Sequence, residues 1–185
     1  MPVSVAKARA RRVREALGIF ALILVGALFV SAFGPHEAAP PSRYVGAPGP
    51  DFVATSADGS PVRLSDLRGR PVWLTFFSTW CVNCRAEDPD IDRVVREQRD
   101  AGSDLAFLAV GVEETPASIA DYVRSVRLSY PWAADPQGSA SRRYAVLAFP
   151  THFFIDRTGV VRDVHIGTLR LDQMRTLVGA IERGK

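Results

Sequence analysis

A chain of 185 residues, 47% hydrophobic and 23% charged, has the length for one domain plus an appendage and too much apolar content for a disordered protein. The net charge of +3 belongs to the tail: residues 1–15 hold Lys7, Arg9, Arg11, Arg12 and Arg14 against Glu15 alone, so the remainder stands at −1. That near-neutral remainder gives no basis for a nucleic-acid surface on the domain.

Behind the basic tail, Ala16 to Pro35 is a run of twenty uncharged residues. A helix of that length spans ~30 Å, about the hydrocarbon thickness of a bilayer. The preceding arginines predict a cytoplasmic N-terminus and place the rest of the chain outside. The alternative is a cleaved signal peptide, whose apolar region is usually ~7–15 residues, with Val30-Ser31-Ala32 as an acceptable cleavage site. Both readings send the domain to a compartment where disulfides persist. Residues 36–50, with Pro40-Pro41, Pro48, Pro50, Gly46 and Gly49, read as an extended linker.

The domain is expected from Asp51 onward. Phe52–Thr55 and Val62–Leu64 flank the turn signal Asp58-Gly59 and read as a hairpin. Ser65 to Gly69 reads as one capped helical turn closed by glycine. Pro71 to Ser78 is a continuous apolar run, the pattern of a central buried strand. The helix after it carries Ile91, Val94 and Val95 on one face, with Pro89 inside, where it should kink the helix. A second buried strand is expected at Leu105–Val112, a helix at Pro116–Leu128, strands at Thr151–Ile155 and Val160–His165 about a second hairpin, and a last helix bearing Leu171, Met174, Leu177, Val178 and Ile181. This order, β-α-β-α-β-β-α behind a leading hairpin, predicts an α/β fold: a mixed sheet flanked by helices.

The only two cysteines, Cys81 and Cys84, lie two residues apart where the apolar run ends and that helix begins. There a pair can close a small disulfide ring and open it again, because unpaired N–H groups at a helix N-terminus favour a thiolate. Thiolate attacks disulfides, so Cys81 is the expected nucleophile and Cys84, one turn on, the resolving thiol. A zinc site wants four ligands, and no second cysteine pair or nearby histidine cluster supplies them. A purely structural bridge this short would remove little chain entropy. No cofactor or metal is expected.

Trp80-Cys81-Val82-Asn83-Cys84, Glu87, Pro89 and Phe149-Pro150-Thr151 ahead of a hairpin together resemble the thioredoxin superfamily. More closely they are similar to the membrane-tethered TlpA/ResA-like thiol–disulfide oxidoreductases, including CcmG-type proteins, over roughly residues 45–183. The leading segment Val45 to Gly69 is typical of that branch. The resemblance implies a thioredoxin-like fold and a reductase at the outer face of the cytoplasmic membrane. It would be fed by a CcdA- or DsbD-type membrane donor and would act on oxidised protein thiols, apocytochrome c among them. It also implies that Pro150 is a cis-proline facing the disulfide and that Glu87 handles protons near the cysteines. With no N–H on Pro150, the backbone of Phe149 is free to pair with a substrate strand, and Trp80, Phe149, Pro150 and Thr151 are the expected partner-binding residues. Val82-Asn83 departs from the common Glu-Pro pair, which leaves the redox potential open.

His152 and His165 fall in expected strands and read as structural, and Glu113-Glu114 reads as a solvated loop pair. Three other functions compete. A peroxiredoxin-type peroxidase would use the Ser78-x-x-Cys81 approach but expects a proline where Leu74 stands. A copper-carrying Sco-type module spaces its cysteines by three residues. A DsbA-like oxidant needs a helical insertion for which the roughly 65 residues between Cys84 and Pro150 leave little room.

Overall fold

The computed structural model describes residues 40–184, with Gly18, Leu22, Leu24 and Val25 ahead of them. The basic tail, most of the uncharged segment 16–35 and the first part of the linker lie outside the described residues. Among the described residues no helix is long and apolar enough to cross a membrane. The chain divides into two compact units, Met1–Ala38 and Ala39–Lys185, and the second carries everything that follows.

Its centre is the pair of strands whose sequences are apolar from end to end. β3 (Val72–Phe77) and β4 (Ala106–Val112) are buried at every position and pair in parallel. Around them, β1 (Val53–Ser56), β2 (Pro61–Arg63), β5 (Trp132–Asp135), β6 (Thr151–Ile155) and β7 (Val161–Ile166) complete one seven-stranded sheet in the order β2-β1-β5-β4-β3-β6-β7. β5 joins β4 in parallel and β1 antiparallel, while β6 lies antiparallel to both β3 and β7. The leading hairpin is thus an edge of the main sheet. Gly59 in its turn has φ +86°, and Asp58 Oδ1 accepts the Ser60 N–H at 3.0 Å.

Helices α1 (Val82–Asp100), α2 (Pro116–Val126) and α4 (Leu171–Glu182) pack on one face of this sheet. There Trp73, Phe107, Phe154, Ile119, Met174, Val178 and both cysteines form one core. The opposite face holds Phe76, Leu108, Phe153 and Tyr144 with the short α3 (Ser139–Arg143). Alternation along β3 sorts the two: Trp73 and Phe77 go one way, Val72, Leu74 and Phe76 the other. α1 runs on through Pro89 as one helix.

Three expectations are corrected. The linker does not last to residue 50, because the domain unit starts at Ala39. Pro41–Tyr44 forms a 3-10 turn, and Tyr44 lays its ring against Tyr144 and Phe153, at 5.7 and 6.3 Å between centroids. Gly46 and Gly49 then donate backbone hydrogen bonds to Val161 and Gly159. The proline- and glycine-rich composition here serves a docked edge. Second, the turn expected at Ser65 begins one residue earlier, at Leu64, and its N-cap Arg63 supplies no side-chain cap. The Ser65 N–H is instead taken by Asp51 Oδ1 at 2.9 Å. Third, β5 and α3 occupy a stretch in which no element was expected.

Candidate active site

β3 delivers the chain to the cysteines, and the sheet decides what lies beneath them. Cys81 is the N-cap of α1: its Sγ accepts the N–H of Cys84 at 3.1 Å, one of the donors a helix start leaves unpaired. Cys81 and Cys84 are joined by a disulfide, with Cα atoms 5.3 Å apart, and both are buried. Thiolate formed at Cys81 would sit against that same N–H and the positive end of a helix of 19 residues.

The rim is apolar and open. Trp80 is 70% exposed and Val82 78% exposed. Trp80 meets Phe149 edge to face, with centroids 5.9 Å apart, so the cysteine loop and the loop before β6 touch. The Phe149–Pro150 bond is cis. Among the described residues the backbone N–H and C=O of Phe149 have no backbone partner, while Pro150 C=O accepts from Gly167 at 2.8 Å. Leu147, two residues before Phe149 in the chain, is 72% exposed. Thr151 does not share in this rim. It is buried, its hydroxyl turns back to the Ala148 carbonyl at 2.7 Å, and its backbone belongs to β6 between two neighbouring strands.

Two acids lie near the cysteines, and one of them, Glu114, differs from what its sequence context suggested. Glu114 is no solvated loop residue: it accepts the Thr79 N–H, at 3.0 Å to Oε2, and the Thr79 hydroxyl, two residues ahead of Cys81. Glu113 beside it stays exposed, with φ +57°. Glu87 is buried on the inner face of α1, one turn past Cys84. Its Oε1 lies 3.1 Å from Nε2 of His152, a fully buried histidine of β6. A lone strand histidine carries no sequence signal of such a contact; the pairing arises because β6 lies beside β3 under α1. His165, opposite His152 on β7, is half-buried with Nε2 3.2 Å from the Thr168 carbonyl.

The remaining inner carboxylates of α1 are structural. Asp88 accepts from the hydroxyls of Tyr122 and Tyr130, the latter at 2.7 Å. Burial pushes its carboxyl above the usual range, against the pull of those two hydroxyls. Asp92 accepts the Ser129 N–H at 2.7 Å and its hydroxyl at 2.8 Å. Among the described residues no group of three or more His, Cys, Asp or Glu is arranged to hold a metal ion.

Comparison with known proteins follows the same outline. The model of the AhpC/TSA family matches residues 45–164. The thiol–disulfide oxidoreductase ResA of Bacillus thuringiensis is 30% identical over 143 residues, 77% of this chain and 82% of that one. ResA of Geobacillus kaustophilus is 33% identical over 138 residues, 75% of this chain and 78% of that one. A thiol:disulfide interchange protein of the thioredoxin family from Chlorobium tepidum superposes with a TM-score of 0.65 at 26% identity, over 79% of this chain and 99% of its own.

Proposed function

The chain belongs to the AhpC/TSA family and, within it, to the ResA-type thiol–disulfide oxidoreductases, and we propose that it reduces disulfides of partner proteins on the outer side of a cytoplasmic membrane. The observation that carries the reading is the Cys81–Cys84 pair at the start of α1, with the open edge of Phe149 and cis-Pro150 joined to it through Trp80.

The reduced site works in two displacements. Cys81 thiolate attacks one sulfur of the partner disulfide; the Cys81–partner S–S bond forms and the partner's own S–S bond breaks, releasing its first thiolate. Cys84, having given up its proton, then attacks Cys81 Sγ. The Cys81–Cys84 bond forms, the mixed disulfide breaks, and the second partner sulfur leaves as thiolate. Two electrons pass to the partner, and the site ends as the disulfide. The partner is held as an extended segment against the Phe149 backbone, with apolar contact from Trp80 and Val82, a mode tolerant of sequence. Apocytochrome c fits this class of substrate, and a CcdA- or DsbD-type membrane protein fits the donor that restores the dithiol. The uncharged segment 16–35 fits the anchor.

Equilibration with graded glutathione or dithiothreitol buffers, with Cys81→Ser as control, tests the direction. A midpoint near or below about −230 mV supports a reductase, whereas one near −120 mV makes the protein an oxidant. Absence of any reversible two-electron couple defeats the redox reading, with peroxide turnover the next assay. Protease protection of the domain in sealed right-side-out vesicles would refute the outward placement.

A further inference from the structure

The three carboxylates on the inner face of α1 are not equivalent. Asp88 and Asp92 are each met by two good donors. Glu87 is equally buried, yet its Oε2 has no partner among the described residues, and Oε1 faces only His152. Leaving a buried carboxylate unsatisfied is costly, and fully satisfied neighbours show that this helix can avoid it.

The surroundings of His152 settle which nitrogen carries its proton. Trp73 Nε1–H, which can only donate, points at Nδ1 from 3.3 Å, and Thr75 Oγ1 lies 2.9 Å from the same atom. A neutral ring whose Nδ1 accepts carries its hydrogen on Nε2, the atom 3.1 Å from Glu87 Oε1. With the disulfide closed the approach is out of line for a hydrogen bond, as catalytic contacts often are outside the reacting complex. The other titratable groups on this side include Cys84, Asp88 and Asp92 on α1, Tyr122 and Tyr130, and His165 and Asp163 on β7, with the His152 and His165 rings 6.3 Å apart. Asp88 is turned to its two tyrosines, and α4 presents Met174 and Val178.

We propose that His152 is a positioning residue for proton transfer at Cys84: its Nε2–H holds Glu87 Oε1, leaving Oε2 as the atom that takes the thiol proton. The proposal rests on the thiol–disulfide reading above. In the resolving step the Cys84 S–H proton passes to Oε2, the electron pair left on sulfur attacks Cys81 Sγ, and the proton on Nε2 stays where it is. Its role is to fix the carboxylate and to stabilise the charge that Glu87 bears before transfer.

The test uses the full chain in detergent micelles, reduced and then mixed with an excess of a peptide disulfide. Acid quenching and mass spectrometry separate formation of the mixed disulfide from its resolution, each followed across pH. His152→Gln places an amide N–H near the position of Nε2, and His152→Asn places one near Nδ1, so both keep a polar group in the core but only the first reaches Glu87. Resolution is expected to slow about tenfold in His152→Asn, a modest share of what general acid–base assistance supplies, and to stay within about threefold of the parent in His152→Gln. Formation of the mixed disulfide is expected to be unchanged in both, which also reports an intact fold. In a Glu87→Gln background the two substitutions should add nothing, and the pH profile of resolution should match that of Glu87→Gln alone. Equal resolution rates in the Gln and Asn variants, or full additivity with Glu87→Gln, would overturn the assignment while leaving the redox site standing. A parent protein that forms no mixed disulfide would overturn the thiol–disulfide reading and this assignment with it.

Discussion

Glu114 fixes how the cysteine loop leaves β3, and removing it gives a quantity that can be measured. Glu114→Ala deletes the acceptor for two donors, the Thr79 N–H and the Thr79 hydroxyl. A hydrogen bond to a charged group contributes roughly 1.5–3 kcal/mol. Both residues are partly exposed, so water recovers part of the loss and the lower end applies. Two bonds then give about 3 kcal/mol for Glu114→Ala, and about half that for Glu114→Gln, which keeps one acceptor oxygen. Urea unfolding of the oxidised and the dithiothreitol-reduced protein reads both values. The comparison between redox states is the sharper part: any difference in the cost between the two must reappear as a change in potential, about 30 mV for each 1.4 kcal/mol. A loss below about 0.5 kcal/mol in both states, the range of an ordinary surface change, would refute the view of Glu114 as the clasp of this loop.

Other outcomes follow from the same geometry. Trp80→Ala should leave unfolding stability within about 0.5 kcal/mol, as expected for so exposed a side chain, yet slow exchange with a peptide disulfide several-fold; an unaltered rate would remove Trp80 from the partner surface. Gly111→Ala puts a methyl into Ile119 Cδ1 and should cost ~1–3 kcal/mol by overpacking; adding Ile119→Val should recover stability, and a double variant no better than Gly111→Ala alone would point to backbone strain instead. Asp88 and Asp156 should give opposite pH slopes. Burial raises the Asp88 carboxyl above 3.8 despite Tyr122 and Tyr130, so its contribution is present below that value and lost as pH rises through the folded one; Asp88→Asn should flatten this limb of the denaturation profile. Burial also acts to raise Asp156, but bonds from Thr158, Val160 and Arg162 outweigh it and lower the carboxyl. Its contribution is present above 3.8 and lost as pH falls through the lowered value, a limb that Asp156→Asn should remove.

The elements that were legible from the amino acids are those whose signal is local. β3 and β4 announce themselves by length and unbroken apolarity, the hairpins by Asp-Gly and Thr-Gly turns, and α2 and α4 by the spacing of their inner residues. β5 was not legible. Trp132-Ala133-Ala134-Asp135 is four residues long, follows a proline, carries two alanines of poor strand propensity, and is buried throughout without alternation. It is a strand because β4 and β1 leave a slot between them. Docking of residues 40–50 was hidden for a related reason: prolines and glycines suit a free tether and a docked sheet edge equally well. At the site, the cysteines were readable from spacing, whereas cis-Pro150 and the weight given to Glu87 came through family resemblance. Glu114 and His152 had no signal of their own, since their meaning lies in partners 35 and 65 residues away, Thr79 and Glu87.

The sheet also works as a partition. Every sulfur of the redox pair lies on the side of α1, α2 and α4, and the core of Phe76, Phe153 and Tyr144 on the far side contains none. Opening the disulfide frees a short loop at the head of one layer only. Amide hydrogen exchange should therefore divide the domain by layer, with amides of α1 and the loop before β6 changing their protection between the two oxidation states and those of the β1–β2 hairpin and α3 keeping theirs. Half of the domain would then serve as a fixed mount that the electrons never reach, and an insertion or fusion placed on that half would leave the exchange chemistry untouched.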